Sequence, residues 1–427
     1  MAEAKIASKP IAPQGGLPEA PVKASAWRRT LDAITVPFLA IFTSLVIGGI
    51  IIAFSDDAVL AALPKTLQDP FGLFRAMWNA VSIAYTALLF GAIGQPDVIA
   101  KAIQTWVATG NGTDMLRAMW PLSESLVTST PYIYAGLAVA VGFKAGLFNI
   151  GVEGQLFMGA LASAYVGYAV TGLPWFIHLP LAMLCGMAAG AIWAAIPGFL
   201  KARTGAHEVI NTMMMNYIAF LLSDWLLNGP MKAKGGNPRS PEIAATAYLP
   251  ALFPEPVRFH WGFFLALGAA FLVYWFLWKT TLGFELRTVG ASPSAARYAG
   301  MNITRNFVLA MVISGGLAGL TGANELLGLN HYMANAFSPG YGFDSIALAL
   351  LGKSNPFGVV LAALLFGFLR SGATRMQSVA NVPVDIISIL QALIIVFIAA
   401  PAIVRWLYRV RAPKAAEREV FTRGWGG

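Results

Sequence analysis

Residues Gly146-Leu147-Phe148-Asn149-Ile150-Gly151-Val152-Glu153-Gly154-Gln155 place a carboxylate, two amides and three glycines between two long apolar runs, 131–143 and 156–170. Such polar groups at the junction of two membrane spans are costly unless the backbone breaks into a protein-lined or water-filled space. Glycines permit that break, and a helix starting there offers unpaired N–H groups to a polar ligand. Two readings stay open: Asn149, Glu153 and Gln155 shape a translocation path, or they form a polar turn at the membrane edge.

Further polar residues interrupt apolar runs at Asn216, Asp224, Asn324, Glu325, Asp344 and Gln391. Intramembrane polar groups face a bundle interior, where some line a pathway and others only hydrogen-bond to backbone. Gly315, Gly316, Gly319 and Gly322 precede Asn324 and Glu325 and let helices approach closely. Gly186 and Gly190 suit helix packing, and Glu208 suits the first turn of a helix.

The segment 279–305, KTTLGFELRTVGASPSAARYAGMNITR, has a different character. Pro293 can open a short helix behind Ser292 or Ser294, Ala295-Ala296-Arg297-Tyr298-Ala299 continue it, and Gly300 can end it. A short small-residue helix held by two spans suits docking to a soluble partner, with Arg287 on its approach. The plainer alternative is a solvated basic loop.

Composition says what must position these groups. Hydrophobic residues make up 57% of the 427 and charged ones 11%, against roughly 25% charged in a soluble domain. The chain is therefore a polytopic membrane protein, all-α, a bundle of about ten spans that includes short or broken helices. Its net charge of +9 collects at span ends, so it is no sign of nucleic acid. One cysteine, Cys185, and four histidines without ligand spacing exclude a disulfide framework and a metal cluster.

Apolar runs fall at 36–54, 126–143, 156–170, 179–200, 209–227, 261–278, 307–327, 343–351, 357–368 and 384–404. The runs 343–351 and 357–368 are too short for ordinary spans and read as discontinuous helices. Residues 1–35 form a cytoplasmic tail, 36–404 the transmembrane domain, and 405–427 a second cytoplasmic tail. This orientation puts most of the 29 Lys and Arg residues inside. The run 73–93 is apolar enough to pass for a span, but counting it alone would turn the basic loops outward. It reads as an interfacial helix in an external insert, 55–125, with a membrane hairpin formed with 98–119 as the alternative.

Several blocks in order then meet a family: Gly146–Gln155, KARTGAHEVINTMMMNYIA at 201–219, residues 283–302 and 314–327, and SPGYGFDSIALALLGKSNPFGVVLAALLFGFLRSG at 338–372. Over about 123–401 the chain resembles integral-membrane permease subunits of ABC importers, in the nucleoside and simple-sugar branch of the branched-chain amino acid/ribose-type permeases. It is most similar to nucleoside permeases that work with a basic-membrane-lipoprotein type binding protein. His207 stands where such permeases usually carry Asn, and the insert 55–125 is longer than usual.

The resemblance implies that Ser294, Ala295, Ala296 and Gly300 match the EAA…G coupling helix, with Ser294 in place of the acidic residue. It implies a bacterial plasma-membrane importer subunit with no cofactor and no catalytic residue. Its partners would be a separate ABC ATP-binding subunit, a second permease chain in a heterodimer, and an external substrate-binding lipoprotein. Nucleoside is the expected substrate and a simple sugar the alternative. Gly352-Lys353-Ser354 ends like a P-loop, but Ala347 occupies the position of the required glycine. A multispan enzyme would need paired acids or a metal cluster in its loops. A secondary transporter would leave the docking loop unexplained.

Overall fold

The computed structural model describes residues 26–335, 337–383 and 385–410. The remainder of the two tails expected at 1–35 and 405–427 lies outside the described residues. The order is α1 (Ala26–Ser55), α2 (Asp57–Ala62), α3 (Pro70–Ile93), α4 (Pro96–Thr109), α5 (Thr113–Lys144), α6 (Val152–Ala169), α7 (Trp175–Thr204) and α8 (Glu208–Asn228). After a long connection come α9 (Gly262–Lys279), α10 (Thr281–Ala291), α11 (Pro293–Tyr298) and α12 (Ile303–Glu325), which runs into a π-turn, Leu326–Asn330. The chain then forms α13 (Tyr341–Leu351), α14 (Pro356–Ala380), α15 (Asp385–Ala399) and α16 (Pro401–Tyr408). Among the described residues there is no strand, only two isolated bridges.

Small residues hold the centre. Without a hydrophobic driving force between helices in lipid, close van der Waals contact must supply the association. Glycines of α7 and α12 provide it: a Cβ at Gly190 of α7 would lie 2.7 Å from the Gly319 Cα of α12, and one at Gly198 of α7 2.8 Å from the Met311 Cβ. Gly159 of α6 meets Gly319, and Gly322 meets the Leu156 carbonyl. Large apolar residues point outward instead, among them Ile192 and Phe199 on α7 and Phe271, Leu272 and Trp275 on α9. That inside-out pattern fits a lipid surround.

Seven helical segments are long and apolar enough to cross a membrane, and the pair α15–α16, bent by 84°, would make an eighth. The helices α6 and α8 run 18 and 21 residues but carry Glu153, Gln155, Asn216 and Asp224 in their apolar sequence. The run 343–351 forms α13, 11 residues long, as its length suggested. The run at 357–368 is corrected: α14 continues to Ala380 for 25 residues. Arg370 does not stop it, because its guanidinium finds partners inside the bundle (below).

The run 73–93 also differs from a helix lying flat at the interface. As α3 it packs along α1 and α14, burying Ala80, Ala84, Ala87, Leu88 and Ala92. With α4 it forms a 40-residue segment long enough to cross.

The connection 229–261 is clamped to the segment after α12. Ser240 N donates to Met333 O at 2.8 Å, Met333 N to Ser240 Oγ at 2.9 Å, and Ile243 N to His331 O at 2.9 Å. The Tyr248 and His331 rings stack at 3.7 Å. Burial pushes the His331 imidazole below its usual range, so it stacks uncharged at neutral pH. This clamp fixes the segment that delivers Asn335 and Ser338 to the site.

Candidate functional site

The glycine-broken junction folds around Asn149. Gly146 adopts φ +72°, and a Cβ there would lie 3.0 Å from the Gly290 Cα, so the turn presses directly on α10. Asn149 Oδ1 accepts from Gly151 N at 2.9 Å and Gln155 Nε2 at 3.1 Å. Its Nδ2 donates to Gln155 Oε1 at 3.0 Å and Ser314 Oγ at 2.9 Å. Ser314 in turn donates to the Ala138 carbonyl at 2.6 Å. From α8, Asn216 accepts from Gly154 N at 2.8 Å and donates to Ile150 O at 3.0 Å. The junction is thus stitched to α5, α8 and α12, and Asn149, Gln155 and Asn216 are fully buried. Their polar groups are spent on protein, as buried amides require.

Glu153 differs. It is 2% exposed, sits in the first turn of α6, and accepts the Gly342 N–H of α13 on Oε2 at 2.6 Å. Gly342 is needed for this approach, since a Cβ there would lie 2.6 Å from the Glu153 Cα. Two helix N-termini therefore converge on one carboxylate, the arrangement in which helix dipoles favour negative charge.

Glu153 also lines a cavity of about 380 Å³ between α6, α8 and the segment leading into α13. Phe157, Phe220 and Phe343 form its apolar walls, and Ser223, Asp224, Asn335 and Ser338 its polar ones. The Phe157 and Phe220 rings meet edge-to-face at 5.0 Å. Asp224 Oδ1 accepts from Asn335 Nδ2 at 2.7 Å and Asn228 Nδ2 at 2.9 Å. Aromatic walls with a few convergent polar groups are what a small polar ligand with an apolar face needs.

The other expected residues lie elsewhere. Asp344 accepts from the Tyr132 hydroxyl at 2.9 Å, and Arg370 Nη1 donates to that hydroxyl at 3.3 Å. Arg370 and Asp344 stand 3.8 Å apart, a triad joining α13 to α5 and α14. Glu325 accepts from the Tyr341 hydroxyl at 3.4 Å. Asn324 is buried against Gly262 and His260 at the start of α9. Of the polar residues expected to face a pathway, the cavity gathers Glu153 and Asp224. It adds Phe157, Phe220, Ser223, Asn335, Ser338 and Phe343, which the sequence did not single out. The Ser-Asp pair late in an apolar run was the one signal available.

The short helix expected within 279–305 forms as its start and stop signals suggested. Ser292 caps α11, accepting from Ala295 N at 3.4 Å with Pro293 at the first position, and Gly300 ends it at φ +78°. Ala296 is buried, whereas Ser294, Ala295 and Arg297 face out and Tyr298 is 97% exposed. Arg287 is half-buried: Nε donates to Leu277 O at 2.9 Å and the guanidinium lies 5.5 Å over the Trp278 ring. It braces α10 against α9. Gly352-Lys353-Ser354 follows the helix α13 rather than a strand, which excludes a P-loop.

Residues 122–399 match the family of branched-chain amino acid transport system permease components. The guanosine ABC transporter permease protein NupP of Bacillus subtilis is 38% identical over 89% of this chain and 97% of its own length. The chain belongs to that family.

The glucose ABC transporter permease protein TsgB13 of Haloferax volcanii is 39% identical over 73% of this chain and 85% of its own. The nucleoside ABC transporter permease protein NupB of Lactococcus lactis is 34% identical over 69% and 82%. No solved structure shows a significant match. This permease is a multi-pass membrane component of an ABC transport system, a transport subunit rather than an enzyme.

Proposed function

We propose that this permease forms half of the membrane channel of a nucleoside importer, with the Glu153–Asp224 cavity on its translocation path. The carrying observation is the cavity itself, where aromatic walls suit a nucleobase and carboxylate, amide and hydroxyl groups suit a ribose. Two of the similar permeases are named for guanosine and for nucleosides, which supports this reading. The glucose permease keeps simple sugar as the second reading.

The partners proposed are a second, different permease chain, an ABC ATP-binding subunit and an external binding lipoprotein. The loop carrying α11 docks the ATPase, with exposed Tyr298 as its tip. The membrane is the bacterial plasma membrane with both termini cytoplasmic and residues 55–125 external, as the distribution of Lys and Arg favours. ATP-driven closure of the ATPases pushes α10–α11 against Gly146, and Gly290 carries that push to the junction holding Glu153. Asn149, Gln155 and Asn216 keep the junction rigid enough to transmit it. Nucleoside uptake by the assembled transporter, with Phe157→Ala and Phe220→Ala beside it, tests the cavity's role. Wild-type uptake by both variants would remove it.

A further inference from the structure

Two groups in the cavity remain unused by the protein. The Ser223 hydroxyl is buried, with the residue 2% exposed, and has no hydrogen-bond partner. A buried hydroxyl without a partner costs free energy unless something else satisfies it. Next to it in sequence, Asp224 Oδ1 already receives two amide N–H groups, from Asn228 and Asn335. Among the described residues no group donates to Oδ2, and both residues line the same cavity. We propose that Ser223 and Asp224 recognise the vicinal hydroxyls of the transported solute, the 2′ and 3′ hydroxyls of a ribose.

Donor and acceptor counting selects this ligand chemistry. A carboxylate recognises a guanine edge with both oxygens, one for each of two parallel N–H groups. Here Oδ1 is saturated, so that fork has lost a prong. The pair instead presents one anionic acceptor, Oδ2, and one hydroxyl that both donates and accepts. Two adjacent sugar hydroxyls match it: one donates to Oδ2, while the other exchanges a hydrogen bond with Ser223 Oγ. Phe157, Phe220 and Phe343 then remain for the base. The assignment rests on the nucleoside reading above. Glucose carries vicinal hydroxyls too, so the experiment must separate the two sources.

The assembled transporter, with its ATPase and binding protein, is compared as wild type, Asp224→Asn and Ser223→Ala at matched membrane abundance. Uptake efficiency is measured for guanosine, its 2′-deoxy and 3′-deoxy analogues, inosine and glucose. The binding protein is the same throughout, so any change in a ratio belongs to this chain. Wild type should prefer the ribonucleoside by at least about tenfold, because a missing hydroxyl leaves Ser223 or Asp224 unpaired. Both variants should shrink that ratio several-fold. Unchanged ratios in both variants would overturn the assignment. So would a changed guanosine-to-inosine ratio with the deoxy ratios intact, which would place Asp224 on the base. If wild type moves glucose and no nucleoside, the nucleoside reading falls. The diol assignment is then decided in the same proteins by glucose against 2-deoxyglucose and 3-deoxyglucose.

Discussion

Glu153 Oε2 accepts the Gly342 backbone N–H at 2.6 Å, although 189 residues separate them. One carboxylate thereby pins the starts of two helices, α6 and α13, at the rim of the cavity. Glu153→Gln keeps the shape and replaces the carboxyl group with an amide. It should insert at wild-type abundance and lower uptake about tenfold, in keeping with ~1–3 kcal/mol for a disturbed buried hydrogen bond. Gly342→Ala forces a Cβ against Glu153 and should do at least as much damage. Uptake at matched abundance checks both.

Asn149 makes four hydrogen bonds within the bundle. Asn149→Ala strands Gln155 and the Gly151 N–H in a buried place. The cost should be about 2–4 kcal/mol, seen as a lowered thermal midpoint of the purified protein in detergent. Asn216→Ala should resemble it, because Gly154 N and Ile150 O lose their partner.

On the loop carrying α11, proposed to dock the ATPase, exposed and inward residues should behave differently. Tyr298→Ala touches nothing within the chain that needs it, so insertion and thermal stability should stay while ATP hydrolysis loses its coupling to uptake. Ala296→Glu buries a charge and should also unfold the loop. Limited proteolysis separates the two outcomes.

The position of α3 is settled by labelling. In a background lacking Cys185, Asp69→Cys and Asp97→Cys should both react with an impermeant maleimide from outside if residues 55–125 are external. Reaction of one site only from the cytoplasmic side would mean that α3 crosses.

Local chemistry was legible in the sequence, and long-range chemistry was not. Ser292, Pro293 and Gly300 announce α11 because each acts within its own few residues. The glycines at 315, 319 and 322 signalled close packing because the residue type alone permits it. The end of α14 was hidden because Arg370 looks like the edge of a span until Tyr132 and Asp344 are brought to it. The cavity was hidden for a related reason. Phe157, Phe220 and Phe343 are ordinary in apolar runs, and only the folded chain places them around Asp224 and Asn335.

The central claim is that this chain carries nucleosides as part of an ATP-driven importer. The most direct measurement is uptake of labelled nucleoside into vesicles containing the chain, its partner permease and ATPase, with the binding protein on the substrate side. Uptake should require ATP and this chain, and unlabelled nucleosides should compete where glucose does not. Uptake that proceeds without ATP on an ion gradient, or that glucose abolishes and nucleosides leave untouched, would contradict it.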